Sequence, residues 1–93
     1  MKKTIWKFEL VTTNTQKVTM PKGAEILTVQ DQQGTACMWA LVDPDADTEQ
    51  RIFEVFGTGH DIKYDMGISR EYIGTYQERG GMLIFHLFEY TGV

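Results

Sequence analysis

The sequence predicts an all-β fold, a small β-sandwich or barrel of about seven short antiparallel strands. Three observations carry that expectation. Apolar and polar residues alternate at period two in most of the apolar runs. Those runs are short and are separated by clusters rich in Gly, Pro, Asn and Asp. No segment keeps an apolar stripe at helical spacing long enough for a stable helix.

The first strand is announced by Trp6, Phe8 and Leu10 on one face and Lys7 and Glu9 on the other. Residues 12–15, Thr-Thr-Asn-Thr, turn the chain. Residues 16–20 return with Val18 inward, and Pro21-Lys22-Gly23 stops them, because proline has no ladder donor. Residues 25–30 form a third strand with Leu27 and Val29 on one face. Residues 31–34, Asp-Gln-Gln-Gly, suit a hairpin connection.

Residues 35–42 are apolar on both faces, which marks a central or covered strand. Ala, Met and Leu there also favour a short helix, but the run is too short for one. An acidic loop follows at 43–49, stiffened by Pro44. Residues 51–56 read as a fifth strand, with Ile52, Glu54 and Phe56 opposite Phe53 and Val55. Residues 57–61 must turn, and 62–70 show no clear period. Residues 72–77 form a sixth strand, where Gly74 marks a bulge or a close approach. After the turn at 78–81, residues 82–90 form the last strand, apolar on both faces apart from His86 and Glu89. Pairing between the first and last strands would tie down both ends.

The chain has 93 residues. One core is the expectation (a single domain, 1–93), since two would each be too small to hold together. Its net charge of −4 disfavours nonspecific nucleic-acid binding. Lys2, Lys3 and Lys7 beside Trp6 faintly suggest a nucleic-acid surface, but a solvated strand end explains them better. The one cysteine, Cys37, cannot form an internal disulfide and fits a reducing compartment. Lys7 and Glu9 interrupt any signal-peptide core, and no apolar run is long enough to span a bilayer as a helix.

Several groups could carry chemistry. Asp43, Asp45, Asp47 and Glu54 fall at positions 1, 3, 5 and 12 of a calcium-binding loop. Thr48 stands where such a loop needs glycine, and Glu54 lies in a predicted strand. A solvated acidic turn is therefore the plainer reading, with a weak cation site at Asp43, Asp45 and Asp47 as the alternative. Gly57-Thr58-Gly59-His60 reads first as a structural turn; the alternative is a loop that aims backbone N–H groups at an anion or contacts a ligand or partner.

His86 reads as a partly buried residue bonded to a neighbouring strand. A zinc site of His60, His86 and Cys37 would need the fold to bring them together. Cys37 sits among apolar residues, where a thiol is usually inert packing, and Ser69 has no nucleophile elbow around it. No cofactor is implied. Trp39, Tyr64, Tyr72, Tyr76 and Tyr90 could anchor a partner, although most aromatics of so small a chain belong to its core. Edge strands offer a second route to association, including a homo-oligomer.

Residues 39–45 (WALVDPD), 56–60 (FGTGH), 72–77 (YIGTYQ) and 85–89 (FHLFE) together resemble a family of short phage-encoded proteins of unknown function. The resemblance spans nearly the whole chain. It implies a compact β domain acting in the cytoplasm of a bacterial host, and it implies no activity. Within that setting, the absence of a complete catalytic constellation favours a non-enzymatic protein that binds a host or defence-system protein or a small ligand. A phage structural or assembly component, or a small histidine-dependent hydrolase, is the alternative.

Overall fold

A computed structural model describes residues 2–62 and 69–92. Among these, seven strands form two antiparallel sheets. The strands are β1 (Thr4–Glu9), β2 (Thr15–Pro21), β3 (Glu25–Gln32), β4 (Thr35–Val42), β5 (Thr48–Gly57), β6 (Ser69–Glu78) and β7 (Leu83–Gly92). A three-residue 3-10 turn, Arg79–Gly81, joins β6 to β7. One sheet has the order β1-β4-β3 and the other β2-β5-β7-β6. The fold is therefore all-β, in the sandwich form.

The two runs that are apolar on both faces, β4 and β7, are interior strands of their sheets. Each is hydrogen-bonded to a neighbour along both edges and turns one face to the other sheet. From β4, Ala36, Met38, Ala40 and Val42 face the other sheet and are buried. Val29 of β3, Phe53 and Val55 of β5, Leu87 of β7, Met20 of β2 and Tyr76 of β6, with Leu10 and Ala24, complete the core. Phe53, Met38 and Leu87 are fully buried. Complete burial of one such side chain contributes about 1.5–3 kcal/mol.

Several local expectations change. The terminal strands do not pair: β1 adds to β4, and β7 lies between β5 and β6. Leu27 does not share a face with Val29. The β3–β4 register shifts between Ile26 and Thr28, so Ile26 and Val29 turn inward and Leu27 is left 43% exposed. A bulge adds one residue and reverses the alternation beyond it. Trp6 lies on the inner-facing side of β1 yet is 40% exposed, because β1 is an edge strand exposed along nearly its whole length.

The acidic loop is shorter than expected, since β5 begins at Thr48. Ser69 and Arg70 already belong to β6, and the rest of the irregular stretch, 63–68 with Tyr64, lies outside the described residues. The hairpin between β3 and β4 turns on Gln33 and Gly34, both at positive φ, the requirement of a two-residue type I′ turn.

Gly74 is a point of close approach between the sheets. A Cβ there would lie 2.9 Å from Val29 Cγ1 on β3. The β6–β7 register also breaks between Tyr72 and Gly74, so both meanings expected of this glycine hold.

Candidate functional site

The Gly57–His60 segment leaves β5 as a tight turn. The His60 N–H donates to Gly57 O at 3.1 Å, and Gly59 takes a φ of 88° in the third position. That position needs a left-handed residue in a type II turn. Gly57 has a different reason to be glycine. A Cβ on it would lie 2.8 Å from His60 Cε1. Its absence lets the imidazole fold back, so that Nδ1 accepts the Gly57 N–H at 3.3 Å. The Thr58 N–H donates to Ile84 O at 3.3 Å and pins the turn to β7. The N–H groups of Gly57, Thr58 and His60 are thus taken within the protein, as in the structural turn that the sequence favoured over an anion cradle.

That turn forms one wall of an open cleft of about 420 Å³. The other wall is Met82, Leu83, Ile84 and Phe85 at the start of β7. Met82 is 83% exposed, and Leu83 and Ile84 are exposed beside it. Sequence reading overlooked this wall. Its signal was present, since a run of four large apolar residues directly follows Gly80-Gly81, but the run was absorbed into the last strand.

Thr58 and His86, separately notable in the sequence, come together. Thr58 Oγ1 lies 2.8 Å from His86 Nε2, and His86 Nδ1 lies 2.9 Å from Thr75 Oγ1. Tyr72 OH lies 2.6 Å from the same Thr75 hydroxyl. Register explains the set, because Thr75 is opposite His86 across the β6–β7 ladder. Both ring nitrogens are bonded, so His86 is held by a neighbouring strand, as expected. The chain Tyr72–Thr75–His86–Thr58 fixes the ring and the turn, and it contains no carboxylate.

The remaining candidates lie elsewhere. Trp39 projects from the outer face of the β1-β4-β3 sheet, beside Lys7 and Thr28 in register, and does not join the Thr58 cluster. Cys37 is 1% exposed on that same face, with Sγ directed at Thr35 O (3.5 Å), so it is inert packing and is not gathered with the two histidines. Asp43 Oδ1 accepts the Asp45 N–H at 3.0 Å, and Ala46 N–H donates to Asp43 O. The acidic segment is a self-bonded turn. Glu54 is held in β5 by Arg70, with Nε to Oε1 at 2.6 Å, and is unavailable as a twelfth-position ligand. Among the described residues, no three His, Cys, Asp or Glu side chains are placed to hold a metal ion. No helix among them is long and apolar enough to cross a membrane.

At the opposite end of the four-stranded sheet, Arg51 donates to both carboxylate oxygens of Glu89, at 2.6 and 2.7 Å, and to Ala24 O. The hydrogen bond to Glu89 raises the Arg51 pKa, against burial, which lowers it. The recess there, about 250 Å³ and lined by Glu25, Glu71 and Glu89, is organised around this internal pair.

Comparison with known families assigns the chain. A family model described as a domain of unknown function (DUF7352) matches residues 1–92. The chain belongs to the DUF7352 family. No curated protein and no solved structure gives a significant match. The family match spans both walls of the cleft and all four segments of the motif set, and it assigns no activity to them.

Proposed function

We propose that this DUF7352 chain is a non-enzymatic phage accessory protein that binds a host or defence-system component through the cleft between Gly57–His60 and Met82–Phe85. The supporting observation is the wall itself: Met82, Leu83 and Ile84 are 83%, 39% and 38% exposed in consecutive positions. Large apolar side chains exposed together favour a partner that removes them from water. Methionine adapts to irregular surfaces, while the hydrogen-bonded turn opposite supplies a fixed polar rim. The phage setting rests on the sequence resemblance; the mode of action rests on the cleft.

The test is capture of a component from a phage-infected bacterial lysate by wild-type protein and by Met82→Ser/Ile84→Thr. Both substitutions fall on exposed side chains and should leave stability within about 0.5 kcal/mol. A component retained by the wild type and lost by the variant supports the reading. Equal retention by both removes the cleft from it.

A second reading, a small histidine-dependent hydrolase, draws on the 2.8 Å contact between Thr58 Oγ1 and His86 Nε2. That contact resembles a nucleophile and its base. Thr75 holds the far ring nitrogen where a hydrolase would place a carboxylate, and this favours the binding reading. Biological activity retained in both Thr58→Ala and His86→Ala would end the hydrolase reading.

A further inference from the structure

The free edge of β1 is the least protected strand edge among the described residues. Leu10 N–H donates to Ala36 O at 2.8 Å, directly beyond the Glu9–Cys37 pair. Bonded and non-bonded pairs alternate in an antiparallel ladder, so Phe8, Trp6 and Thr4 also bond to β4. The N–H and C=O groups of Glu9, Lys7 and Ile5 therefore point away from the sheet, and Lys3 lies just before the strand. Ile5 is 56% exposed on one face and Trp6 40% exposed on the other, so the second sheet does not cover this half of the strand.

The other edges are guarded. β3 packs against β6 and carries the Leu27 bulge, and β6 has register breaks at Ser69/Arg70 and Tyr72/Gly74. β2 ends in Pro21 and offers Lys17 no acidic partner within the strand. Bulges, prolines and edge lysines are devices that stop edge pairing; β1 has no bulge or proline, and its Lys7 ammonium donates to Gln32 Oε1 at 2.9 Å.

We propose that β1 pairs antiparallel with β1 of a second copy of this chain, with Trp6 opposite Trp6 at the two-fold axis. Only odd-numbered residues turn their backbone groups outward, so they must bond to one another, and the register is restricted to steps of two. A register centred on Lys7 sets two lysines opposite each other. One centred on Phe8 needs the backbone of Val11, whose N–H and C=O are already bonded to the Gln16 side chain. The register centred on Trp6 bonds Ile5 to Lys7 twice and would extend the ladder by bonding Glu9 to Lys3. It sets Lys3 opposite Glu9 twice and Ile5 against the methylenes of Lys7. Neither Lys3 nor Glu9 has an ion-pair partner among the described residues. Trp6 and its symmetry mate would cover each other on the inner-facing side.

The pairing is independent of the cleft reading, since the cleft residues lie on β7 and the β5 turn. A single strand pair is a small interface, so dimer is expected at roughly 10–100 μM protein. Sedimentation velocity over that range should show a concentration-dependent dimer. Lys7→Pro should be monomeric with an unchanged far-ultraviolet spectrum, because the backbone N–H it removes points outward. Trp6→Cys in a Cys37→Ala background should cross-link between copies on mild oxidation, since non-bonded antiparallel pairs bring Cα atoms to about 4.5 Å. Lys7→Cys in the same background should not. Lys3→Glu or Glu9→Lys alone should weaken the dimer about tenfold, and the double exchange should restore it. The exchange also decides the matter if Lys7→Pro does not fold. A wild type that stays monomeric at 200 μM or about that concentration overturns the proposal. So does cross-linking through position 7 in place of 6, or a double exchange as weak as its parents.

Discussion

Replacing Gly74 with alanine tests how the two sheets are joined. The added Cβ would lie 2.9 Å from Val29 Cγ1, a distance that forces one of the two to move. Val29 is 3% exposed and belongs to the core cluster, so it has little room to give. Overpacking of this kind costs about 2 kcal/mol, or roughly 10 °C in Tm for a domain of this size. Gly74 is outside the left-handed region, so alanine can adopt its backbone conformation. That separates the steric effect from conformational strain. Val29→Ala removes the clashing methyl and alone costs about 2 kcal/mol in lost burial and cavity. In that background Gly74→Ala should be neutral or stabilising by roughly 0.5 kcal/mol, because it restricts the unfolded chain. The double-mutant cycle should therefore show a coupling of about 2 kcal/mol. Urea denaturation of the four proteins, followed by tryptophan fluorescence, measures it. A neutral Gly74→Ala in the wild-type background, or additive effects, would refute the account of how β3 meets β6.

Three further outcomes follow from the same geometry. Glu89→Gln should destabilise by roughly 2–3 kcal/mol in urea, since it strands the largely buried Arg51 guanidinium, and Arg51→Met with Glu89→Gln should recover part of that loss. Burial raises the Tyr76 pKa above its ordinary 10.0, with the Thr12 hydrogen bond opposing. The folded state then holds this proton more tightly than the unfolded chain, so stability is intact below about pH 10 and falls as pH rises beyond it; denaturation at pH 9 and 10.5 should show a smaller drop for Tyr76→Phe. Millimolar calcium should leave the amide shifts of residues 43–49 unchanged, because Asp43 is committed to its own turn; calcium-dependent shifts there would restore a cation site.

The chain itself determined the class of fold and the place of its two central strands. Period-two alternation is a local property, and a strand apolar on both sides favours an interior place in its sheet, which β4 and β7 both take. Gly74 was legible for a related reason, since a glycine inside a strand signals a missing side chain and hence a close neighbour. Gly57 and Gly59 were legible as a turn, but the use of Gly57, making room for the His60 ring, was not.

Tertiary structure alone decided the rest. Leu27 faces outward because β3 gains a residue against β4, and a bulge is a property of the pair of strands, invisible in either one. Thr58, Thr75 and His86 meet because β6 and β5 flank β7 in a given register, and no local pattern encodes which strands become neighbours. The same holds for the apolar wall at Met82–Ile84. As sequence it was the beginning of a core strand; only the end of the sheet, where no opposing layer covers it, made it a surface.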